Sequence, residues 1–165
     1  IVEVICDVNV KGVGRRAFQY CPSLRRVIMP GVVMAEREAF NGCEALTEVE
    51  FGKLEIIKSR AFSWCRSLRS ITLPSARIVE KTAFAGTALT EVTFSRKLER
   101  IENLAFVSCP SLERITIPLK DGMITDDDIY QGCKKLKQVD LVEGAVLHDT
   151  IAALLLEEWK NVMND

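Results

Sequence analysis

The chain's 165 residues hold 22 basic and 23 acidic side chains, a formal net charge of −1, with 48% hydrophobic and 27% charged residues. That balance fits one water-soluble globular domain, and the apolar runs fall well short of the roughly 18 residues needed to span a bilayer. The interspersed charges show neither the basic surplus nor the basic stripe of a protein that binds nucleic acid by neutralising phosphates.

In chain order, Ile1-Val2-Glu3-Val4-Ile5 reads first, as a strand already in a ladder. Nothing amphipathic precedes it. The expectation is an uncovered edge, in a chain cut from something longer or paired with a partner, and the chain ends then offer a route to homo-oligomers. No secretory or transit segment is visible at the start, and because the chain opens at Ile1 rather than Met this says little about compartment.

A repeat of 22 residues follows. Ala-Phe recurs at Ala17-Phe18, Ala39-Phe40, Ala61-Phe62, Ala83-Phe84 and Ala105-Phe106, and a degraded sixth copy stands at Ile129-Tyr130. Leu24, Leu46, Leu68, Leu112 and Leu136 come six residues after the aromatic, and Leu89 arrives one residue early. Three residues beyond each Leu lies Val27, Val49, Ile71, Val92, Ile115 or Val139, and two further on Met29, Phe51, Leu73, Phe94, Ile117 or Leu141. Each Leu-x-x-Val-x-Met stretch ends with period-two alternation, the mark of a short strand, and Pro30, Pro74, Pro118 or Gly52 stops it. Upstream of each Ala-Phe run two more apolar columns, Val10, Val32, Leu54, Ala76, Leu98 and Val13, Ala35, Ile57, Val79, Ile101. One such unit encloses no core, so successive coils must stack and turn each column into a continuous spine. The residue missing before Leu89 is restored before Leu98, so the period survives.

The pattern Ala-Phe-x-x-Cys-x-x-Leu-x-x-Val-x-Ile-Pro resembles the BspA-type leucine-rich repeat over about residues 10–141. The resemblance implies a leucine-rich-repeat solenoid: a right-handed superhelix with a parallel sheet on its concave side, and short strands and 3₁₀ turns on the convex side. Residues 1–144 form this solenoid of about six repeats. More narrowly, Leu112–Gly122 and Cys133–Met163 are similar to the leucine-rich-repeat multigene proteins of diatoms, a likeness that implies no function.

Cys21, Cys43, Cys65, Cys109 and Cys133 form one column, with Thr87 in the vacant place and Cys6 outside it. No close Cys pair offers zinc ligands, and the column reads as buried free thiols acting as small apolar residues, with Cys6 the most reactive. Free thiols suit a reducing cytoplasm, and burial would protect them equally at a cell surface.

Between the inward positions, strand residues face outward. One outward column reads Arg26, Glu48, Ser70, Glu91, Arg114, Gln138, its neighbour Ile28, Glu50, Thr72, Thr93, Thr116, Asp140, and a flanking one Arg25, Thr47, Arg69, Thr90, Glu113, Lys137. The first two are the candidate partner-binding face, about 24 Å long at the usual strand spacing, and without aromatic anchors. The same pattern also fits a merely solvated sheet.

After Gly144 the pattern turns helical. Asp149 is placed to cap a helix whose stripe is Ile151, Leu154, Leu155, Trp159 and Val162, so residues 145–165 read as an amphipathic capping helix over the last repeat, or as an exposed stripe for self-association. Catalytic apparatus is missing: His148 is the lone histidine, no glycine-rich phosphate loop occurs, and Asp126-Asp127-Asp128 lacks the spacing of a calcium loop. The reading is a non-catalytic protein-protein interaction module without cofactor or metal, binding a protein of unknown identity, neither nucleic acid nor membrane-inserted. A cell-surface adhesin or recognition domain for an extracellular protein or glycan is the second reading.

Overall fold

The computed structural model describes residues 1–118 and 128–142. Its elements are short parallel strands on successive coils. One face carries β1 (Glu3–Ile5), β3 (Arg26–Ile28), β5 (Glu48–Glu50), β7 (Thr72–Leu73), β9 (Glu91–Phe94), β11 (Arg114–Ile117) and β12 (Gln138–Leu141). The other carries two-residue strands, β2 (Gly12–Val13), β4 (Met34–Ala35), β6 (Ile56–Ile57), β8 (Ile78–Val79) and β10 (Arg100–Ile101), which join in order as one five-stranded sheet.

The registers follow the sequence columns. On the two-residue face every pairing steps by one repeat, from Gly12↔Met34 to Ile78↔Arg100. On the longer face Thr72 pairs with Thr93 and Glu91 with Arg114, so the missing residue before Leu89 is absorbed without breaking the ladder. The longer face differs from expectation in one respect. It is not a single sheet but two, β1-β3-β5 and β7-β9-β11-β12, and Glu48–Glu50 does not pair with Thr72–Leu73. Nothing in the structure explains the break.

The spines are as the spacing requires. Phe18, Phe40, Phe62, Phe84, Phe106 and Tyr130 stack in one file, neighbouring centroids 5.2–5.8 Å apart and planes within 14° of parallel. Phe51 and Phe94 pack edge-on against that file. Phe40, Phe62, Phe84 and Phe106 are fully buried, as are the alanines before them, while Phe18 in the first coil is half-buried. The coils also meet through their backbones at this position. The Phe N–H of one coil donates to the carbonyl of the next coil's Ala, as from Phe40 to Ala61 at 2.8 Å, so the two backbones run in contact there.

The turns that carry Ala-Phe are not 3₁₀ helix. Their bonds do run from residue i+3 back to i, as from Ala17 to Gly14, Gln19 to Arg16 and Cys21 to Phe18. However, φ turns positive at Arg16 and Tyr20, and likewise at Glu38 and Gly42, Arg60 and Trp64, Thr82 and Gly86, Leu104 and Ser108. A left-handed residue every fourth position ends each turn before a helix can propagate, leaving a chain of separate β-turns. The expected capping helix at 145–165, with Trp159 and His148, lies outside the described residues, as do Asp126 and Asp127.

Candidate interaction surfaces

The ladder face holds the residues expected there. Arg26 sits beside Glu48, and Glu91, Arg114 and Gln138 stand in register, as do Thr72, Thr93, Thr116 and Asp140, while Ile28 sits beside Glu50. Ser70 belongs to the same coil as Thr72 but lies in no strand, at the break between the two sheets. Glu48, Glu50, Ser70, Thr72, Glu91, Thr93, Arg114 and Gln138 are exposed, whereas Arg26, Ile28, Thr116 and Asp140 are half-buried.

The charges on this face are unevenly matched. Arg26 is bracketed by Glu3 at 2.9 Å and Glu48 at 3.2 Å, and its hydrogen bond to Glu3 and the charge of Glu48 hold its pKa above the ordinary value. Arg114 pairs with Asp140, which also accepts from Gln138. Glu50 and Glu91 have no cation within ion-pair distance among the described residues. Both arginines are thus engaged, and the middle of the ladder shows carboxylates and hydroxyls.

The cysteine column has a role beyond filling space. Cys43, Cys65, Cys109 and Cys133 each donate S–H to the Phe carbonyl of the preceding coil, at 3.0–3.2 Å. The Phe18 and Phe40 carbonyls also accept the N–H of Cys21 and Cys43 in their own coils, and the Phe84 carbonyl that of Thr87, so both lone pairs of these three are used. Thr87 keeps the column polar where a Cys is missing, lying 3.3 Å from the Cys109 sulfur. Burial pushes the Cys43 thiol up to about 11 and the Cys65 thiol well above its ordinary value, so neither forms a nucleophilic thiolate at neutral pH. All six thiols are free.

Sequence reasoning missed the aromatic residues. Tyr20 and Trp64 stand in the left-handed column of the turns, 68% and 47% exposed. The signal was present: this column reads Tyr20, Gly42, Trp64, Gly86, Ser108, Gly132, so a large ring alternates with glycine across the first four coils. The Tyr20 ring lies against Gly42 and the Trp64 ring against Gly86, each so close that a Cβ would come within 2.4 Å of a ring carbon. Between the rings runs a groove of about 320 Å³, and beyond Trp64 a second of about 280 Å³. A larger one of about 520 Å³, edged by Arg66, Arg69 and hydroxyl residues, separates these turns from the ladder face.

Stacked parallel coils with a leucine column, a phenylalanine file and an outward strand ladder define a leucine-rich-repeat protein. The chain belongs to the BspA-type leucine-rich repeat family, whose model matches it in six copies over residues 1–79 and 55–146. Solved structures agree. A leucine-rich repeat protein from Bacteroides ovatus is 28% identical with a TM-score of 0.72, over 84% of this chain and 38% of its own. A leucine-rich repeat protein of T. pallidum is 28% identical with a TM-score of 0.76, over 84% of this chain and 69% of its own. A leucine rich cell surface protein from Faecalibacterium prausnitzii is 27% identical with a TM-score of 0.73, over 87% of this chain and 40% of its own. The chain therefore spans well under half of the B. ovatus and F. prausnitzii proteins. No curated protein matches it in sequence.

Proposed function

We propose that the chain is a non-catalytic protein-interaction module that presents its strand ladder to a protein partner. One observation carries this reading: the ladder centre offers Glu50 and Glu91, exposed and without a cation in reach among the described residues, on either side of the break that holds Ser70, amid the hydroxyls of Ser70, Thr72 and Thr93, with β5 bonded to β3 and β9 to β7 and β11. Pre-set, unneutralised carboxylates select a basic partner and give steering more than raw affinity. They also repel phosphates, which disfavours nucleic acid on this face. Families built on this repeat are typically non-catalytic.

The test is capture of partners by the whole chain, compared with a variant carrying Arg26→Glu, Glu48→Lys, Glu91→Lys and Arg114→Glu. Loss of the captured partner at low salt supports the ladder face, and unchanged capture removes it. A second reading, a cell-surface recognition domain for an extracellular protein or glycan, rests on the F. prausnitzii relative being described as a cell surface protein. Within the family we place the chain beside the diatom proteins, on the sequence of Leu112–Gly122 and Cys133–Met163 alone.

A further inference from the structure

We propose that the groove between Tyr20 and Trp64, on the turn column away from the ladder, binds a segment of a linear neutral oligosaccharide. Its two walls are exposed aromatic rings two coils apart, about 10 Å at the usual strand spacing. Neither ring is free to swing toward its neighbour's place, because each lies against a glycine that leaves no space for even one more carbon. Both rings are exposed on a solvated turn and belong to no core.

The groove also holds an unmet hydrogen-bonding need. Asn41 lines it, is 7% exposed, and its Oδ1 has no hydrogen-bond partner. Leaving a buried amide atom unpaired costs about 1–3 kcal/mol, so a group that completes it gains correspondingly. Ser63 and Thr82 spend their hydroxyls on neighbouring backbone carbonyls, and Arg60, the one charged liner, is an ion-pair partner of Glu38. The pocket therefore has no carboxylate in its lining and a single cation, already within ion-pair distance of Glu38.

A sugar matches this chemistry better than a peptide does. A hydroxyl both donates and accepts, so it satisfies the Asn41 amide whichever way that group is turned. The C–H face of a pyranose is complementary to the negative face of an aromatic ring. A peptide has two routes here: adding to a strand edge, or, if proline-rich, laying its rings between the aromatics, which leaves the Asn41 oxygen without a donor because proline has no N–H. The turn column presents no such edge, since the N–H groups of Phe18, Tyr20, Phe40, Gly42, Phe62 and Trp64 already donate to the following coil. The groove beyond Trp64 is edged by Arg66, whose guanidinium lies over the tryptophan ring 5.5 Å from its centroid.

The experiment uses the whole chain with Trp159→Phe, so that emission reports Trp64 alone, titrated separately with cellohexaose, maltohexaose and chitohexaose to about ten millimolar, the weak end of measurable affinity. A saturable change in emission with at least one sugar is expected. By calorimetry, Trp64→Leu, Tyr20→Leu and Asn41→Ala should each weaken binding about tenfold or more, with the thermal midpoint of each variant recorded beside it. Asn41→Ala removes the unpaired amide, and a thermal midpoint equal to the parent's assigns its loss of binding to that contact. The ladder variant with four reversed charges should bind sugar as the parent does, which separates this site from the ladder. No saturable change with any of the three sugars overturns the proposal, as does binding indifferent to Trp64→Leu and Asn41→Ala. A proline-rich peptide that perturbs Trp64 where the sugars fail also overturns it.

Discussion

Glu38 concentrates the residue-scale argument. It is 4% exposed, sits at positive φ, and accepts from Arg16 and Gln19 while Arg37 and Arg60 stand within 3.7 Å. Its hydrogen bond with Arg16 holds its pKa below the ordinary value, against an opposing push from burial. A depressed carboxyl binds its proton less readily when folded than when unfolded, where Glu titrates near about 4.3. Its contribution is therefore complete above that value and disappears as pH falls through the lower, folded one. Glu38→Gln should lower stability at neutral pH and flatten the decline between about pH 5 and pH 3, read from urea midpoints across that range. A decline as steep as the parent's would mean that other carboxylates govern the acid limb. The phenylalanine file makes a second residue-scale prediction. Phe62 is flanked by rings at 5.2 and 5.4 Å and met edge-on by Phe51, so Phe62→Ala should cost about 3–5 kcal/mol in urea unfolding. Phe18 is half-buried with one stacked neighbour, and Phe18→Ala should cost clearly less.

Elements show where the sequence is readable and where it is not. Columns of one residue type, spaced by 22, announce the phenylalanine file and the leucine spine, and period-two alternation announces which strand residues face out. The turns stayed hidden because their requirement is for a backbone angle, met by residues with nothing else in common: Arg16, Glu38, Arg60, Thr82 and Leu104 share only a positive φ. The cysteine column could be placed, but its partners could not, since each accepting carbonyl belongs to the preceding coil. The break between Glu48–Glu50 and Thr72–Leu73 has no counterpart in the repeat pattern, and Tyr20 and Trp64 escaped because they alternate with glycine instead of repeating. That alternation is itself testable. Gly86 has φ +69° and the Trp64 ring where its Cβ would be, so Gly86→Ala should cost at least about 1–2 kcal/mol from the left-handed backbone alone and shift Trp64 emission. Gly52 has open space around it and an ordinary backbone, so Gly52→Ala should stay within about 0.5 kcal/mol of the parent.

At the scale of the whole molecule, each coil meets only its neighbours, so stability is a sum of coil terms and interfaces and the chain need not open all at once. The thiols report this directly, because they sample the coils in order. Cys6 and Cys21 are half-buried, whereas Cys43, Cys65, Cys109 and Cys133 are fully buried. In the native protein a thiol reagent should modify Cys6 and Cys21 first, and the other four only as their coils detach. Phe62→Ala weakens the middle coil and leaves the first two joined to the rest by a poorer interface. Cys43 on the second coil should then gain more in labelling rate than Cys109 or Cys133, whose coils keep the stacked rings of Phe84, Phe106 and Tyr130. Alkylation followed by peptide mass spectrometry reads each rate separately. If all four buried thiols accelerate by the same factor, the coils unfold as one cooperative unit, and nearest-neighbour stacking is the wrong account of how this molecule is held together.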